Sequence, residues 1–280
     1  NPLDMLAGSG QVIENVGIWD AINAINTAAN DPSVKFAYLL PDAAMGGTAQ
    51  LEEFRAALQN FRSSGKAVIS YIENPTNAGY YLASVSDKIY MTPYDGFMNT
   101  FCGVSSQMIF LKDILDKCGV NVQLIRHGKY KSAGEMFIRN SSSKENLEQN
   151  EAMVNSVWNS WGTTIAESRN LTFDKLNNLL DDLKLNNAAD FIKEGLADET
   201  LSKEQLNDKL AALYLTDDPE QMQSIAFTDY VAVKKEGLKL ADKTIAVIYA
   251  DGEIIDGREK EQVAGDHFAR IIEKVRKDPS

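Results

Sequence analysis

Short apolar runs alternate with amphipathic segments along the first half of the chain. The apolar runs have a length that suits strands buried in a sheet, and the segments between them carry apolar residues at helical spacing. Strands are therefore predicted at 34–40, 66–72, 88–91 and 121–126, and helices at 18–29, 48–64, 77–84 and 105–118. This alternation is typical of an α/β layered fold.

Residues at the ends of these segments predict where the helices begin and end. Thr48 and Asn77 each stand at the start of a helical segment and are predicted N-caps. Gly65 and Gly119 follow helical segments, and glycine accepts the left-handed conformation in which many helices end. We therefore expect these four residues to mark helix boundaries.

The pattern becomes helical throughout from residue 142 to about residue 216. Ser142 with Glu145 three positions later forms a predicted capping box at the first of these helices. Further helices are predicted at 172–183, 188–195 and 203–213. This stretch is interpreted as a helical appendage that packs on the α/β core.

The end of the chain repeats its beginning. Asp31-Pro32-Ser33 recurs as Asp278-Pro279-Ser280, at an offset of 247 residues. At the same offset, three apolar residues of one helix face correspond to three others: Ala21, Ile25 and Ala28 to Phe268, Ile272 and Val275. Before the second helix, the apolar run 244–250 predicts a strand that opens a second α/β unit.

The repeat leads to a prediction of three parts. Residues 1–141 form the lysine-bearing α/β domain, 142–240 a helical appendage and linker, and 241–280 the start of a second α/β domain. The second copy stops where its first long strand should follow, and Asn1 is not an initiator methionine. We therefore expect the chain to be a piece of a longer tandem protein.

Composition limits the function classes. The net charge of −12 argues against a nucleic-acid partner, which would need a basic face. No run approaches the 18 apolar residues or so of a membrane-spanning helix. Cys102 and Cys118 are the only cysteines, and the sequence leaves open whether they form a disulfide or are two small unpaired residues.

Most familiar catalytic and cofactor motifs are missing. There is no phosphate-binding loop and no dinucleotide fingerprint, so no cofactor is expected. His127 and His267 have no ligand spacing around them, and no Gly-x-Ser-x-Gly elbow accompanies them, which disfavours a metal site and a histidine triad. Gly46-Gly47 could present N–H groups to an anion, although a plain turn is the simpler interpretation.

The lysines at 129 and 131 are the candidate chemistry. A lysine that follows a buried strand can lose its hydration, which favours the neutral amine that a general base requires. The simpler interpretation is a pair of surface lysines on a polar loop, and spacing alone does not decide between the two.

Several motifs occur in a characteristic order. Residues 128–135 read Gly-Lys-Tyr-Lys-Ser-Ala-Gly-Glu, followed by Phe-Ile-Arg at 137–139. Residues 77–84 read Asn-Ala-Gly-Tyr-Tyr-Leu-Ala-Ser, and 195–198 read Gly-Leu-Ala-Asp. Together they resemble the amino-terminal half of the long, two-domain form of the signal peptide peptidase A (protease IV) family, and the run from Ile245 to Ile255 resembles the start of its carboxy-terminal half.

The resemblance implies a crotonase- and ClpP-like fold and a serine endopeptidase that uses a Ser/Lys dyad. Lys131 falls on the position of the general-base lysine, whereas Lys129 does not and is treated as a surface residue. Asn77 takes the nucleophile's place in this half, and an amide cannot attack a carbonyl usefully. The repeat offset then puts the nucleophilic serine about 44 residues beyond Ser280.

The resemblance also implies substrates and partners. The substrates would be the remnants of cleaved signal peptides, and the longer protein would be a membrane-anchored homo-oligomer on the periplasmic face of the bacterial inner membrane. This chain alone is expected to be inactive. Two alternatives remain open: a non-catalytic scaffold or partner-binding module of the same fold, and a crotonase-type acyl-CoA enzyme, which should bind coenzyme A.

Overall fold

A computed structural model describes residues 16–96, 98–235 and 245–278. The chain divides after Ala232 into two compact units. The sequence-based division into 1–141, 142–240 and 241–280 stays a prediction.

A parallel sheet forms the centre of the first unit. Its strands lie in the order β1 (Phe36–Leu39), β2 (Ala67–Ile72), β3 (Lys88–Met91) and β4 (Glu199–Thr200). Each neighbouring pair is parallel. Parallel neighbours need crossover connections, which the helices provide. The predicted α/β architecture and three of the four predicted strands are confirmed.

The helices follow the predicted order, with shifted bounds. The described α-helices as far as residue 235 are α1 (Ile18–Asn30), α2 (Thr48–Ser63), α3 (Asn77–Ala83), α4 (Lys112–Lys117), α5 (Glu135–Ile138), α6 (Lys144–Ser168), α7 (Phe173–Asp181), α8 (Ala188–Lys193), α9 (Lys203–Tyr214) and α10 (Phe227–Lys235). Short 3₁₀ turns occur at Pro41–Ala43 and Pro219–Gln221.

Strand β2 shows why the sheet needs layers on both sides. Its residues Ile69 and Tyr71 pack with Leu206 of α9, while Val68 packs with α1 and α2 on the other face. Ile72 contributes to a third cluster, built largely from α3 and α6–α8. Because side chains alternate along a strand, a parallel strand buried on both faces is apolar almost throughout.

Two predicted N-caps lie one residue too far along the chain. The N-cap of α2 is Gly47, whose N–H donates to Gln50 Oε1 at 3.0 Å, so Thr48 is the first helical residue. The N-cap of α3 is Thr76, whose Oγ1 accepts from the N–H of Gly79 at 2.9 Å, and Asn77 begins the helix. At each helix start two adjacent residues can serve as the N-cap, and the N-cap in the structure is the first of the two.

The predicted capping box at Ser142 is wrong by one residue in the other direction. Ser143 is the N-cap of α6, and its side chain accepts from the N–H of Asn146 at 3.2 Å. The helix ends at Gly65 and Gly119 are confirmed, with φ angles of +89° and +70° that favour glycine.

The segment 103–140 differs most from its prediction. The helix predicted at 105–118 is limited to α4, and the strand predicted at 121–126 is not formed. Neighbouring strands do not cover this segment, and Ile125 is 89% exposed. Apolar spacing indicated burial here, but without a sheet edge or a covering layer it does not produce a strand.

The second unit is small. Strands β5 (Ile254–Ile255) and β6 (Val263–Ala264) pair in parallel and are followed by α11 (Gly265–Lys277). The strand predicted at 244–250 is wrong for 245–250, whose residues are exposed and not in a strand, while Thr244 lies outside the described residues. The helix of the repeat is confirmed, but Ile272 is 54% exposed whereas Ile25 is 5% exposed.

The hydroxyl of Tyr80 links two of the sequence motifs and provides a test of the core. This fully buried side chain stacks on Phe101 and donates to the carbonyl of Leu196. Replacing Tyr80 with Phe should lower the free energy of unfolding by about 1–2 kcal/mol, because the buried carbonyl loses its donor.

Urea unfolding of Tyr80→Phe, beside the matched variant Tyr94→Phe, measures this effect. Tyr94 is 69% exposed, and its variant should unfold within about 0.5 kcal/mol of the wild type. Equal midpoints for the two variants would contradict a bracing role for Tyr80.

Candidate active site

Lys131 lies in an exposed turn, residues 127–134, just before α5; this segment is called the lysine turn below. Its N–H donates to the carbonyl of Gly128 at 3.3 Å, and Gly128 has a φ of +93° that favours glycine. The neighbouring Lys129 is also exposed, with Nζ 5.1 Å from the ring centre of Tyr130. Among the described residues, neither lysine is desolvated by a preceding buried strand.

Arg126 attaches the lysine turn to a buried carboxylate. Its Nη1 donates to the carbonyl oxygen of Lys131 at 2.9 Å and to Glu135 Oε1 at 3.0 Å. One guanidinium nitrogen therefore contacts both the backbone of the candidate base and the acid four residues later. Guanidinium–carboxylate contacts are charge-assisted and stronger than neutral hydrogen bonds.

The carboxylate of Glu135 is sealed from solvent and fully used as an acceptor. It receives the N–H and the hydroxyl of Ser143 at 3.0 and 2.7 Å, and the Asn146 amide at 3.3 Å. Burial by itself raises the pKa of Glu135. The hydrogen bonds from Ser143, Arg126 and Asn146 outweigh that effect and lower the pKa to about 2.

The glycine before Glu135 has a steric reason. A Cβ at Gly134 would overlap the Leu124 side chain. The Leu124 side chain, which precedes the lysine turn, therefore lies against the backbone of the motif, and a residue larger than glycine at 134 would require that side chain to shift.

Asn77 occupies the position that the resemblance assigns to a nucleophile, and its amide makes three hydrogen bonds to one loop. Its Oδ1 accepts from the N–H groups of Cys102 and Gly103, both at 3.1 Å. Its Nδ2 donates to the carbonyl of Gly103 at 2.7 Å. The side chain thus clamps a loop, and it shares no hydrogen-bonding partner with Lys131.

The remaining residues of the motifs brace the fold. A Cβ at Gly79 would lie 2.6 Å from the carbonyl oxygen of Pro41, so α3 can approach the 3₁₀ turn only with glycine there. Asp198 accepts from the N–H of Ile89 at 2.8 Å and pairs with Lys88 and Arg169. Burial raises the pKa of Asp198, but these donors outweigh it and lower the pKa.

The Gly46-Gly47 turn borders an apolar cavity. The cavity has a volume of about 300 Å³ and is lined by Leu51, Phe54 and Leu82, among others. The N–H of Gly47 is already bonded within α2, which agrees with the plain-turn interpretation.

The histidines and cysteines considered from the sequence add no further site. His127 and His267 are not buried, and the described residues contain no group of three or more metal-ligating side chains. Cys102 and Cys118 are both exposed and unpaired, which settles the open question about a disulfide. In the described ranges, no helix has the length and apolar character required to cross a membrane.

These features define an α/β protein on a parallel sheet, with a lysine turn tied to a buried carboxylate. The model of peptidase family S49 matches residues 60–215. Because this match covers more than half of the chain, the chain belongs to peptidase family S49. The family and the crotonase/ClpP-like α/β fold expected from the motifs are thereby confirmed.

Curated relatives agree with this assignment. The chain is 31% identical to Protease 4 of Haemophilus influenzae, over 96% of this chain and 45% of that protein. It is 30% identical to Protease 4 of Salmonella typhi, over 98% of this chain and 45% of that protein. The chloroplastic serine protease SPPA of Arabidopsis thaliana is 27% identical, over 89% and 37%. The chain thus spans less than half the length of these relatives.

Sequence analysis missed the surroundings of Glu135. The motif contained Glu135, but no pattern connected it to Arg126, Ser143 or Asn146. Ser141, Ser142 and Ser143 are three adjacent candidate caps, and the capping-box pattern selected Ser142 with Glu145. The cap is Ser143, which also donates to Glu135 eight residues earlier, and no local pattern predicts a contact at that spacing.

The lowered pKa of Glu135 gives a prediction for acid stability. A carboxylate whose folded pKa is depressed contributes stability above its unfolded value of 4.5, and that contribution is lost as pH falls towards about 2. The isosteric variant Glu135→Gln should therefore have a lower free energy of unfolding than the wild type at pH 7. This difference between the two proteins should become smaller as the pH falls from 4.5 to 2.

Urea midpoints measured from pH 7 to pH 2 test this prediction. The variant Glu151→Gln, at an exposed position, is the control. Its urea midpoint should differ little from that of the wild type, and this difference should not change in the same way with pH. A gap for Glu135→Gln that stays constant over the whole range would show that ionised Glu135 is not what stabilises the turn.

Proposed function

We propose that the longer protein is a serine endopeptidase of the Ser/Lys type, in which this chain supplies the general base Lys131. The observation that carries the proposal is the S49 family match together with the lysine motif at 128–135. The contact between Arg126 and the Lys131 carbonyl supports it, since a catalytic group requires a fixed backbone.

The reaction is acyl transfer. The uncharged amine of Lys131 accepts the proton of a serine hydroxyl, and the serine oxygen attacks the carbonyl carbon of a peptide bond. The tetrahedral intermediate collapses, the C–N bond breaks, and the departing amine takes the proton from the Lys131 ammonium. Water then attacks the acyl-enzyme with Lys131 again as base, releasing the acid and restoring the serine.

The serine belongs to the other half of the protein. Asn77 is the residue of this chain that corresponds to the nucleophile, and its amide is occupied by the loop at 102–103.

The substrates are remnant signal peptides, which are apolar. Ile125 and Phe137, on either side of the lysine turn, are 89% and 39% exposed and offer apolar surface close to the base in sequence. The protein acts without a cofactor, as a membrane-anchored homo-oligomer on the periplasmic face of the bacterial inner membrane. The two bacterial relatives named Protease 4 support the bacterial setting.

A non-catalytic scaffold of the same fold is the second candidate. Two observations favour it within this chain: Lys131 is exposed, and the Asn77 amide is hydrogen-bonded to the loop at 102–103. A scaffold would show no turnover in the full-length protein, so the same assay separates the two candidates.

The first test replaces Lys131 in the full-length protein and follows hydrolysis of a fluorogenic signal-peptide-like substrate. Lys131→Ala should lower kcat by at least about 10³-fold, because no other group of this chain takes the serine proton. Lys129→Ala is the matched control and should stay within about twofold of the wild type. Full turnover by Lys131→Ala would refute the assignment of the base.

The isolated chain of residues 1–280 gives a second test. It should not hydrolyse the same substrate, because the nucleophile is supplied from outside it. Mass spectrometry of the peptide products over a day, beside full-length protein at equal concentration, measures this. Steady turnover by the pure chain would show that it contains its own nucleophile.

A further inference from the structure

The segment around the candidate base has an unusual distribution of burial. Between residues 102 and 145, all of which the structure describes, Glu135 is the one buried residue. A segment of this length normally holds its path through apolar side chains in the core. Here the single group taken out of water is a carboxylate.

That carboxylate connects the two sides of the lysine turn. Arg126 donates to it from before the turn, while Ser143 and Asn146 donate to it from the start of α6 after the turn. The backbone of Glu135 closes the turn as well, because its N–H donates to the carbonyl of Ser132 at 2.9 Å. Residues 127–134 are therefore held at both ends through one side chain.

We propose that Glu135 is a positioning residue for the peptidase reaction: through Arg126 it fixes the Lys131 carbonyl, and through Ser143 and Asn146 it anchors the turn to α6. This inference rests on the proposed role of Lys131 as the base.

The geometry points to positioning in addition to the stability that the ionised carboxylate contributes. The turn at 127–134 buries no side chain, so the Glu135 network holds little apart from the path of the turn. Arg126 bonds the Lys131 carbonyl itself, which places the Cα of the base relative to α6. Misplacing a catalytic group by about 1 Å can cost roughly 100-fold in rate.

The chain offers a matched pair of variants that separates the two roles. Ser143 and Ser202 are both helix N-caps whose side chains accept from the third helical N–H, at 3.2 Å in each case. Only the Ser143 side chain also donates to Glu135. Both Ser143→Ala and Ser202→Ala should lose the contribution of a helix cap, while only the first also removes a donor from Glu135 and loosens the lysine turn.

The experiment uses the full-length protein with Ser143→Ala, Ser202→Ala, Glu135→Gln and Lys131→Ala. It measures kcat and KM on the signal-peptide-like substrate, and amide hydrogen exchange of residues 127–134. We expect Ser143→Ala and Glu135→Gln to lower kcat about 10- to 100-fold, with KM within about twofold and faster exchange in the turn. Ser202→Ala should keep wild-type values for all three.

Each other outcome overturns a defined statement. If Lys131→Ala is inactive but Ser143→Ala and Glu135→Gln keep the wild-type kcat, Lys131 is the base and the positioning role of Glu135 is wrong. If Lys131→Ala keeps full activity, the proposed base and the positioning role both fail. Equal loss of kcat in Ser143→Ala and Ser202→Ala, without faster exchange in the turn, would reduce Glu135 to a general structural role. Ser143→Ala decides the matter if Glu135→Gln does not fold.

Discussion

The first unit depends on the burial of β2 on both faces. A central parallel strand has no face that can be left to water, so helices must pack above and below it. Residues Val68, Ile69, Tyr71 and Ile72 are each 2% exposed or less and distribute themselves over three apolar clusters. Because the crossovers must cover both faces, the positions of α2, α3 and α9 follow.

Most residues that identify the family in this chain serve packing rather than chemistry. Gly79 allows α3 to approach the 3₁₀ turn, and Tyr80 joins that helix to the carbonyl of Leu196. Asp198 then holds the start of β3 through the N–H of Ile89. Family membership can therefore be recognised from residues that stabilise the fold. The proposed function depends instead on the few motif residues that do not pack in the core, above all Lys131.

The sequence allowed prediction of the buried part of the fold far better than of the exposed part. Strands 66–72 and 88–91 could be predicted because burial on both faces produces a short apolar segment. Segment 121–126 is also rich in apolar residues, but Ile125 is exposed to solvent. Periodicity alone cannot show whether a partner strand exists. Lys131 could be found by its motif, while Glu135 could not, since its donors Arg126 and Ser143 lie on opposite sides of it at spacings that no local pattern predicts.

The clamp made by Asn77 has a consequence for which substitutions position 77 can accept. Its amide accepts two N–H groups and donates to one carbonyl, all in the loop at Cys102 and Gly103. The Asn77 side chain makes these bonds through two separate atoms, Oδ1 and Nδ2, whereas a serine side chain is shorter and would have to make all of them through one oxygen, so it could not keep the same geometry. Replacing Asn77 with serine would therefore release the loop at 102–103. Residue 77 and this loop are coupled, so a serine would be accommodated there only together with changes in the loop.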